Sequence, residues 1–169
     1  MTAVFGIAGF KNAGKTTLTE RLVSELTGRG YVVSTVKHAH HAFDIDHEGR
    51  DSHRHRKAGA REVAIVSRNR WALVHELRGE AEPAFAGVLG KLEACDLVLV
   101  EGYKREGHAK LEVRRAGLDH PKLAGDDPTV VAIAADFVIA DAPVPVLDMN
   151  DVVAVADFIV AHVKLEPRP

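Results

Sequence analysis

Residues 9 to 16 of the chain read Gly9-Phe10-Lys11-Asn12-Ala13-Gly14-Lys15-Thr16, so two glycines separated by four residues are followed at once by a lysine and a threonine. An apolar run, 4–8, comes directly before this stretch, and a segment with helical character, 17–26, comes directly after it. A strand that enters a glycine-rich turn and leaves it as a helix points several backbone N–H groups into one concavity, which suits a phosphate group. The spacing G-x-x-x-x-G-K-T in this setting predicts a P-loop; the alternative is a chance match, in which an ordinary glycine turn carries an exposed lysine.

The P-loop predicts a role for each of its polar residues. The ammonium of Lys15 is expected to bridge the β- and γ-phosphates of a nucleoside triphosphate, which makes Lys15 a catalytic candidate. The hydroxyl of Thr16 is expected to bind Mg²⁺. The P-loop residues expected to contact the nucleotide are Gly9, Asn12, Ala13, Gly14, Lys15, Thr16 and Thr17. Further candidates for nucleotide binding lie elsewhere in the chain: Lys37, Arg54, Gly102 and Asp136.

Composition and charge place the chain among globular proteins that bind small phosphorylated molecules. With 169 residues, 46% hydrophobic and 27% charged, we expect one nucleotide-binding domain over 1–165 and a frayed tail over 166–169. A net charge of -2 gives no drive toward nucleic acid or an anionic membrane. The single cysteine, Cys95, excludes an internal disulfide. Because 1–3 leads straight into the first strand and no apolar run has the length of a membrane span, we expect a cytoplasmic protein.

Strand-like and helix-like segments alternate along the chain, which predicts an α/β fold of the P-loop NTPase type, with a mostly parallel sheet and helices on both faces. The apolar runs 97–100 and 130–134 predict strands that are buried on both faces. Residues 110–114 alternate polar and apolar, which predicts a half-exposed strand. Two further segments, 62–67 and 71–75, predict an antiparallel hairpin added to the sheet. The later helices are expected at 84–92 and 151–163.

A P-loop needs a carboxylate at the carboxyl end of a neighbouring strand to help hold Mg²⁺, and Asp96 and Glu101 flank the same predicted strand. Ligands bind at the carboxyl ends of parallel strands, and the two acids lie about 16 Å apart along the strand. We therefore predict that Glu101 lies near the metal and that Asp96 begins the strand. Gly102 permits a sharp turn there, and Lys104 adds positive charge, either to the site or to a solvated loop.

Six of the ten histidines fall between His38 and His55, which raises the hypothesis of a metal site. The stretch lacks the H-E-x-x-H or Cys/His spacing that brings zinc ligands together. The second interpretation is a substrate-facing loop after the second strand, with Lys37, Arg50 and Arg54 as cations. In this interpretation Asp46 and Asp51 are catalytic candidates that bind Mg²⁺ through water or orient a nucleophile; the alternative for Asp51 is a first-turn acid of the following helix.

Four motifs in this order resemble the molybdopterin-guanine dinucleotide biosynthesis adapter family, called MobB. They are the P-loop at 9–16, Thr-Val-Lys-His-x-His-His-x-Phe-Asp-Ile-Asp at 35–46, Gly-Arg-Asp-Ser-x-Arg-x-Arg-x-Ala-Gly-Ala at 49–60 and Leu-Val-Glu-Gly-Tyr-Lys at 99–104. The resemblance covers about Val4 to Lys104 and is weaker beyond Lys110. The one departure is Arg50, where a lysine is expected.

The resemblance implies a GTP-binding protein with weak Mg²⁺-dependent hydrolysis, usually dimeric. It assists a molybdopterin guanylyltransferase (MobA-like) that attaches GMP to molybdopterin, and molybdopterin is a further implied ligand. Glu101 and Gly102 fall on the family's second nucleotide motif. The family's central segment, whose role the resemblance leaves open, contains Lys37, His38, His41, Asp46, Asp51 and Arg54.

Three further expectations accompany this interpretation. The N-K-x-D motif that reads guanine in many GTPases is absent, so Asp136, at the end of a predicted strand, is the candidate for that role, with a strand-ending turn as its alternative. Segment 62–77 offers a hairpin edge to a second copy in a homodimer. Two other functions remain open: a P-loop small-molecule kinase, with Asp46 or Asp51 accepting a hydroxyl proton, and a metallochaperone NTPase, with metal donors at His38, His40 and His41.

Overall fold

A computed structural model describes residues 2–39 and 46–168 of the chain. The strands are β1 (Ala3–Ala8), β2 (Val33–Lys37), β3 (Glu62–Val66), β4 (Trp71–His75), β5 (Leu97–Glu101), β6 (Lys110–Arg114), β7 (Val130–Ala135) and β8 (Val146–Asp148). The helices are α1 (Lys15–Gly28), α2 (Asp51–Lys57), α3 (Phe85–Leu89) and α4 (Val152–Val163). Across the described ranges, none of the helices has the length and apolar character needed to cross a lipid bilayer.

The chain forms two compact units. One comprises Met1–His38 and Gly90–Pro169 and holds a six-stranded sheet with α1 and α4; the other is Ala39–Leu89 and holds α2, α3 and the β3–β4 pair. The expected α/β fold with a mostly parallel sheet is confirmed. The expectation of one domain over 1–165 stays a prediction.

The large sheet has the strand order β2-β5-β1-β6-β7-β8, and every neighbouring pair is parallel. Parallel pairing brings the carboxyl ends of all six strands to one edge, and β1, which leads into residues 9–16, lies in the middle of the sheet. In the register of β2 with β5, Lys37 pairs with Glu101. The sheet therefore sets the end of β1 beside the ends of β2 and β5.

One face of this sheet is covered by α1 and α4, which share a hydrophobic core with it. Alternate residues of the central strands, such as Phe5 and Leu99, are fully buried there against Leu22 of α1 and Ile159 of α4. The opposite face of β7 packs against irregular segments that include Leu123. Among the described residues of this unit, that face of β7 is covered by loops.

Strand β6 corrects the sequence-based prediction of a half-exposed strand, because it is buried in the sheet. Lys110 and Glu112 are 1% and 2% exposed. The ammonium of Lys110 donates to the carbonyl of Glu106 at 2.8 Å and to the hydroxyl of Thr129. Burial of these charges is tolerated because hydrogen bonds replace their lost hydration.

In the second unit, the hairpin and the third helix differ from the expected structure. The hairpin of β3 and β4 is a separate two-stranded sheet rather than an addition to the large one, because the two strands take their ladder hydrogen bonds from each other. The helix expected over 84–92 is only the five residues of α3. The tail over 166–169 is expected to fray. In its described part, the guanidinium of Arg168 donates a hydrogen bond to the carboxylate of Asp96.

His108 lies against β1 at a place where only glycine fits. A Cβ at Gly6 would come within 2.7 Å of the Nε2 atom of His108. Burial, together with the charge of Lys110, lowers the pKa of His108 to about 4 from 6.5, while the charge of Asp127 partly opposes this shift. The folded protein therefore holds this imidazole neutral over a pH range in which the unfolded chain protonates it.

The free energy of unfolding is expected to be unaffected by His108 above its unfolded pKa of 6.5 and to fall as the pH decreases toward about 4. Between these two pH values the unfolded chain binds a proton that the folded chain does not bind. The free energy of unfolding therefore falls by at most about 1.4 kcal/mol per pH unit. Because the ring is only partly buried, the total loss is below about 3 kcal/mol. Urea unfolding of the protein and of His108→Gln across this range measures it: the variant should lose less stability on acidification, and parallel pH profiles would contradict the assignment.

Candidate functional site

The stretch from Gly9 to Gly14 forms an open loop between β1 and α1, with backbone conformations that favour anion binding. Asn12 has φ 65 and Gly14 has φ 97, in the left-handed region. Gly14 is the N-cap of α1, and its position provides no side-chain cap for the first-turn amides. The first turn carries no acid, so its N–H groups and the positive end of the helix dipole are left for an anion.

The loop can follow this path only because glycine occupies its first position. A Cβ on Gly9, which has φ 144, would lie 2.8 Å from the carbonyl oxygen of Val113 in β6. The backbone therefore approaches the neighbouring strand more closely than any side chain permits.

Lys15 is held within the loop. Its ammonium donates to the carbonyl oxygen of Phe10 at 2.7 Å. Burial lowers the pKa of Lys15; the charge of Glu101 opposes this effect, and the charges of Lys104 and Lys37 add to it. The lysine thus lies in a cluster of positive charge that favours an anion.

Glu101 joins three elements at the carboxyl edge of the sheet. The hydroxyl of Thr16 at the start of α1 is 3.2 Å from each carboxylate oxygen of Glu101, and the ammonium of Lys37 at the end of β2 is 3.5 Å from its Oε1 atom. A hydroxyl beside a carboxylate is a pair of hard oxygen donors of the kind that Mg²⁺ prefers. The side-chain oxygens of Thr16 and Glu101 could therefore hold Mg²⁺.

The other acid of β5, Asp96, lies at the opposite end of the strand. It accepts a hydrogen bond from the backbone N–H of Val32 at 2.7 Å, and this bond is the main cause of the lowered pKa of its carboxyl group. Its contacts are those of a residue that begins a strand, as the sequence indicated.

The turn after Glu101 packs closely on the end of β2. Gly102 has φ +98, and a Cβ there would lie 2.9 Å from the Cβ of His38. The ring of His38 stacks on Tyr103 with a centroid distance of 4.5 Å. His38 is thereby placed against the turn that carries Gly102.

Asp136 follows β7 at the same edge of the sheet. Its Oδ1 accepts a hydrogen bond from the backbone N–H of Ala116 at 2.7 Å, and its Oδ2 lies 3.8 Å from the Nε of Arg115. These contacts tie together the loops after β6 and β7, which is what the strand-ending alternative predicts.

Asp46, Asp51 and Arg54 of the central segment lie in the second unit, and Asp46 has partners there. The carboxylate of Asp46, 5% exposed, accepts from the Ser52 hydroxyl at 2.7 Å and lies 3.3 Å from the Nε of Arg56. Asp51 is the first-turn acid of α2, and Arg54 lies in its last turn, both exposed.

The hypothesis that the histidines between His38 and His55 form a metal site can be compared with the described residues. His40 and His41 lie outside the described residues. Over 2–39 and 46–168, the His, Cys, Asp and Glu side chains form no group of three or more that could hold a metal ion.

This edge is also shaped by three residues that the sequence did not single out as site residues, Phe10, Glu112 and His120. The ammonium of Lys104 lies 3.8 Å from the centroid of the Phe10 ring, and His120 stacks on Phe10 at 5.1 Å. Glu112 in β6 supports the loop that carries His120, through backbone hydrogen bonds at 3.0 and 2.9 Å. Of these residues, Glu112 alone carried a sequence signal, a charged residue within a strand-like pattern.

Comparison with known proteins assigns this loop and sheet to a family. The family model described as "Molybdopterin guanine dinucleotide synthesis protein B" matches residues 4–136. The "Molybdopterin-guanine dinucleotide biosynthesis adapter protein" of Escherichia coli is 39% identical over 163 residues, covering 95% of this chain and 93% of that protein. The protein of the same description from Haemophilus influenzae is 36% identical, covering 92% and 86%.

The chain belongs to this family. Solved structures agree at the level of the fold. A crystal structure of molybdopterin-guanine biosynthesis protein B has a TM-score of 0.73 at 22% identity, covering 95% of this chain and 99% of that one. The MobB homologue from Bacillus stearothermophilus has a TM-score of 0.66 at 26% identity, covering 95% and 97%. The family model includes the P-loop, Glu101 and Asp136 within its matched residues.

Replacing Gly9 with alanine is expected to destabilise this member of the family by about 1–3 kcal/mol, because the new Cβ meets a backbone oxygen at a φ that favours glycine. Gly28→Ala is the matched control, since a Cβ there meets nothing within 4 Å and should stabilise by at most about 1 kcal/mol. Thermal unfolding measures both. Equal stability of the two variants would contradict the close approach at Gly9.

Proposed function

We propose that the chain binds Mg²⁺-GTP on its P-loop, hydrolyses it slowly and acts as an adapter in the synthesis of molybdopterin-guanine dinucleotide. The observation that carries this proposal is the convergence of Lys15, Thr16 and Glu101 at the carboxyl edge of the sheet. The proposed adapter role rests on the descriptions of the relatives.

The phosphates are proposed to lie on the backbone amides of the loop and of the first turn of α1, from Asn12 to Thr17. On nucleotide binding, the ammonium of Lys15 exchanges the Phe10 carbonyl for the β- and γ-phosphate oxygens. Lys37, already 3.5 Å from Glu101, supplies a second cation at the same edge.

Mg²⁺ in this site would neutralise the charge that develops on the phosphate oxygens. Thr16 and Glu101 are its proposed protein ligands. If Glu101 were to hold the metal ion, the ammonium of Lys37 would be available to the phosphates.

GTP hydrolysis is proposed to be slow because the chain lacks a side chain that orients the attacking water in many fast GTPases. The sequence contains no glutamine, so no residue of the type that orients the attacking water in many GTPases is available. An arginine of a partner or of a second copy remains the proposed source of faster hydrolysis. Guanine is proposed to be read by the Oδ2 of Asp136, since its Oδ1 is engaged by Ala116.

The proposed partner is a molybdopterin guanylyltransferase, with molybdopterin as the acceptor of GMP, in the cytoplasm. The relatives from Escherichia coli and Haemophilus influenzae are described as biosynthesis adapter proteins, and an adapter acts through a second protein. Slow intrinsic hydrolysis suits such a role, because the bound nucleotide then persists until the transferase engages.

A homodimer is proposed through the exposed apolar face of the hairpin. Val66 and Trp71 are cross-strand partners and are 75% and 66% exposed, and Leu73 on the same face is 46% exposed. Within the described residues, β3 and β4 each pair only with the other, so the hairpin has two strand edges to which a further strand could add. A second copy of the hairpin would cover this surface.

Lys15→Ala is expected to weaken Mg²⁺-GTP binding by at least about tenfold, because charge-assisted hydrogen bonds to phosphate contribute about 1.5–3 kcal/mol each. Lys91→Ala, which removes an exposed lysine outside the site, is the charge-matched control and should bind normally. Isothermal titration with a non-hydrolysable GTP analogue measures both. Wild-type affinity and turnover in Lys15→Ala would refute the site.

Trp71→Glu is expected to convert the dimer to monomer, because it places a charge at the centre of the apolar face. Val153→Glu, at a residue of α4 that is 49% exposed, is the matched control and should leave the dimer intact. Sedimentation equilibrium gives the mass of each. A wild-type monomer, or a dimer unaffected by Trp71→Glu, would contradict the proposed interface.

A further inference from the structure

The segment that follows β8 contacts the P-loop at its last glycine. A Cβ on Gly14 would lie 2.9 Å from the Cε atom of Met149, so the methyl group of this methionine packs closely on the backbone of Gly14. Gly14 is the N-cap of α1. Met149 itself lies outside residues 4–136, which the family model matches. The thioether of Met149 is therefore placed beside the point at which the loop becomes the helix.

The backbone of Met149 is fixed by the sheet on one side and by α1 on the other. Its N–H donates to the carbonyl oxygen of Ala135, at the end of β7, at 2.9 Å. Its carbonyl oxygen accepts from the guanidinium of Arg21 in α1 at 3.2 Å, and the same guanidinium donates to the carbonyl oxygen of Asn150 at 2.6 Å. Arg21 thus ties this segment to the helix that Gly14 begins. Both supports together determine where the side chain of Met149 lies.

Among the described residues, Met149 is the one oxidisable sulfur beside the P-loop. Its side chain is partly buried at the edge of the hydrophobic core, which leaves part of it open to small solutes. The sequence contains one other methionine, Met1, and one cysteine, Cys95. Cys95 lies before the amino end of β5, at the opposite edge of the sheet from the P-loop. Oxidation of a methionine to the sulfoxide converts a flexible apolar side chain into a polar one.

We propose that Met149 is a modification site, and that its oxidation to the sulfoxide by a hydroperoxide lowers the affinity of the P-loop for phosphates. One oxygen atom is transferred to the sulfur: an S–O bond forms, the O–O bond breaks, and the other oxygen leaves as water or an alcohol. The sulfur is oxidised by two electrons and the peroxide is reduced. The sulfoxide oxygen is a hydrogen-bond acceptor beside Gly14, where the first turn of α1 has no side-chain cap and no acid. It accepts from the amides that would otherwise bind an anion.

The effect on phosphate binding rests on the proposed function, because the amides that accept the sulfoxide as a partner are those assigned to the phosphates. Its size follows from competition: the phosphates must displace one hydrogen bond, which corresponds to about a fivefold loss of affinity. The contact of the sulfoxide with the start of α1 depends only on the position of the thioether. It changes the surroundings of the Gly14 and Lys15 amides whether or not a nucleotide binds.

The test treats the full chain with hydrogen peroxide and then with dithiothreitol, which reverses the mild oxidation of Cys95 but leaves a methionine sulfoxide in place. Three readouts follow: the mass of the peptide that contains Met149, the ¹H–¹⁵N resonances of Gly14 and Lys15, and isothermal titration with Mg²⁺-tripolyphosphate. Methionine sulfoxide reductases A and B then reverse the modification. Met149→Leu is the matched variant, because leucine is apolar, has a similar volume and has no sulfur. Affinities are compared within each protein before and after peroxide.

For the wild type, we expect one added oxygen atom in the Met149 peptide, shifted Gly14 and Lys15 resonances, and about fivefold weaker tripolyphosphate binding that the reductases restore. Met149→Leu should bind equally before and after peroxide. The proposal is overturned if Met149 stays reduced at a peroxide dose that oxidises free methionine, if the oxidised wild type binds as tightly as the reduced one, or if Met149→Leu loses affinity by the same factor.

A different result would refute the proposed function and not the modification site. If the untreated wild type does not bind tripolyphosphate, the P-loop does not hold phosphates as proposed. The modification site is then decided by the resonances alone: shifts of Gly14 and Lys15 on oxidation of the wild type, but not of Met149→Leu, support it, and unchanged resonances overturn it.

Discussion

The arrangement of the candidate site depends on the carboxylate of Glu101, which is shared between the Thr16 hydroxyl and the Lys37 ammonium. These residues belong to three elements that are far apart in sequence, and the parallel sheet alone brings them to one edge. The carboxylate offsets the repulsion among the lysines at this edge, since its charge raises the pKa of Lys15 while Lys37 and Lys104 lower it. Without it, this cluster of cations would lose the carboxylate that offsets its charge at Lys15 before nucleotide binds.

The buried polar residues of β6 give this edge its rigidity. Glu112 and Lys110 lie on the face of the sheet opposite α1 and α4, and each uses its charge to hold an irregular segment in place. Glu112 fixes the loop that carries His120 toward the P-loop, while Lys110 fixes the end of the loop that begins at Glu101. The two segments that flank the P-loop are thus anchored through a strand that itself binds no ligand. Loops supported in this way keep a defined shape without the packing of a helix.

The sequence predicted the parts of the site that depend on local chain geometry. The P-loop follows from the spacing of Gly9, Gly14 and Lys15, and the choice of Glu101 over Asp96 follows from strand direction. Burial of β6 was missed because periodicity treats a charged side chain as exposed, whereas the partners of Lys110 come from distant loops. The pairing of Asp46 with Arg56 and the contact of His120 with Phe10 also depend on tertiary packing. No pattern within a short window encodes such contacts.

The most direct test of the account is isothermal titration of the wild-type protein with non-hydrolysable analogues of GTP and of ATP, each with and without Mg²⁺. We expect one GTP analogue bound per chain, weaker binding when Mg²⁺ is omitted, and clearly weaker binding of the ATP analogue. Absence of binding, or ATP binding equal to or tighter than that of GTP, would contradict it.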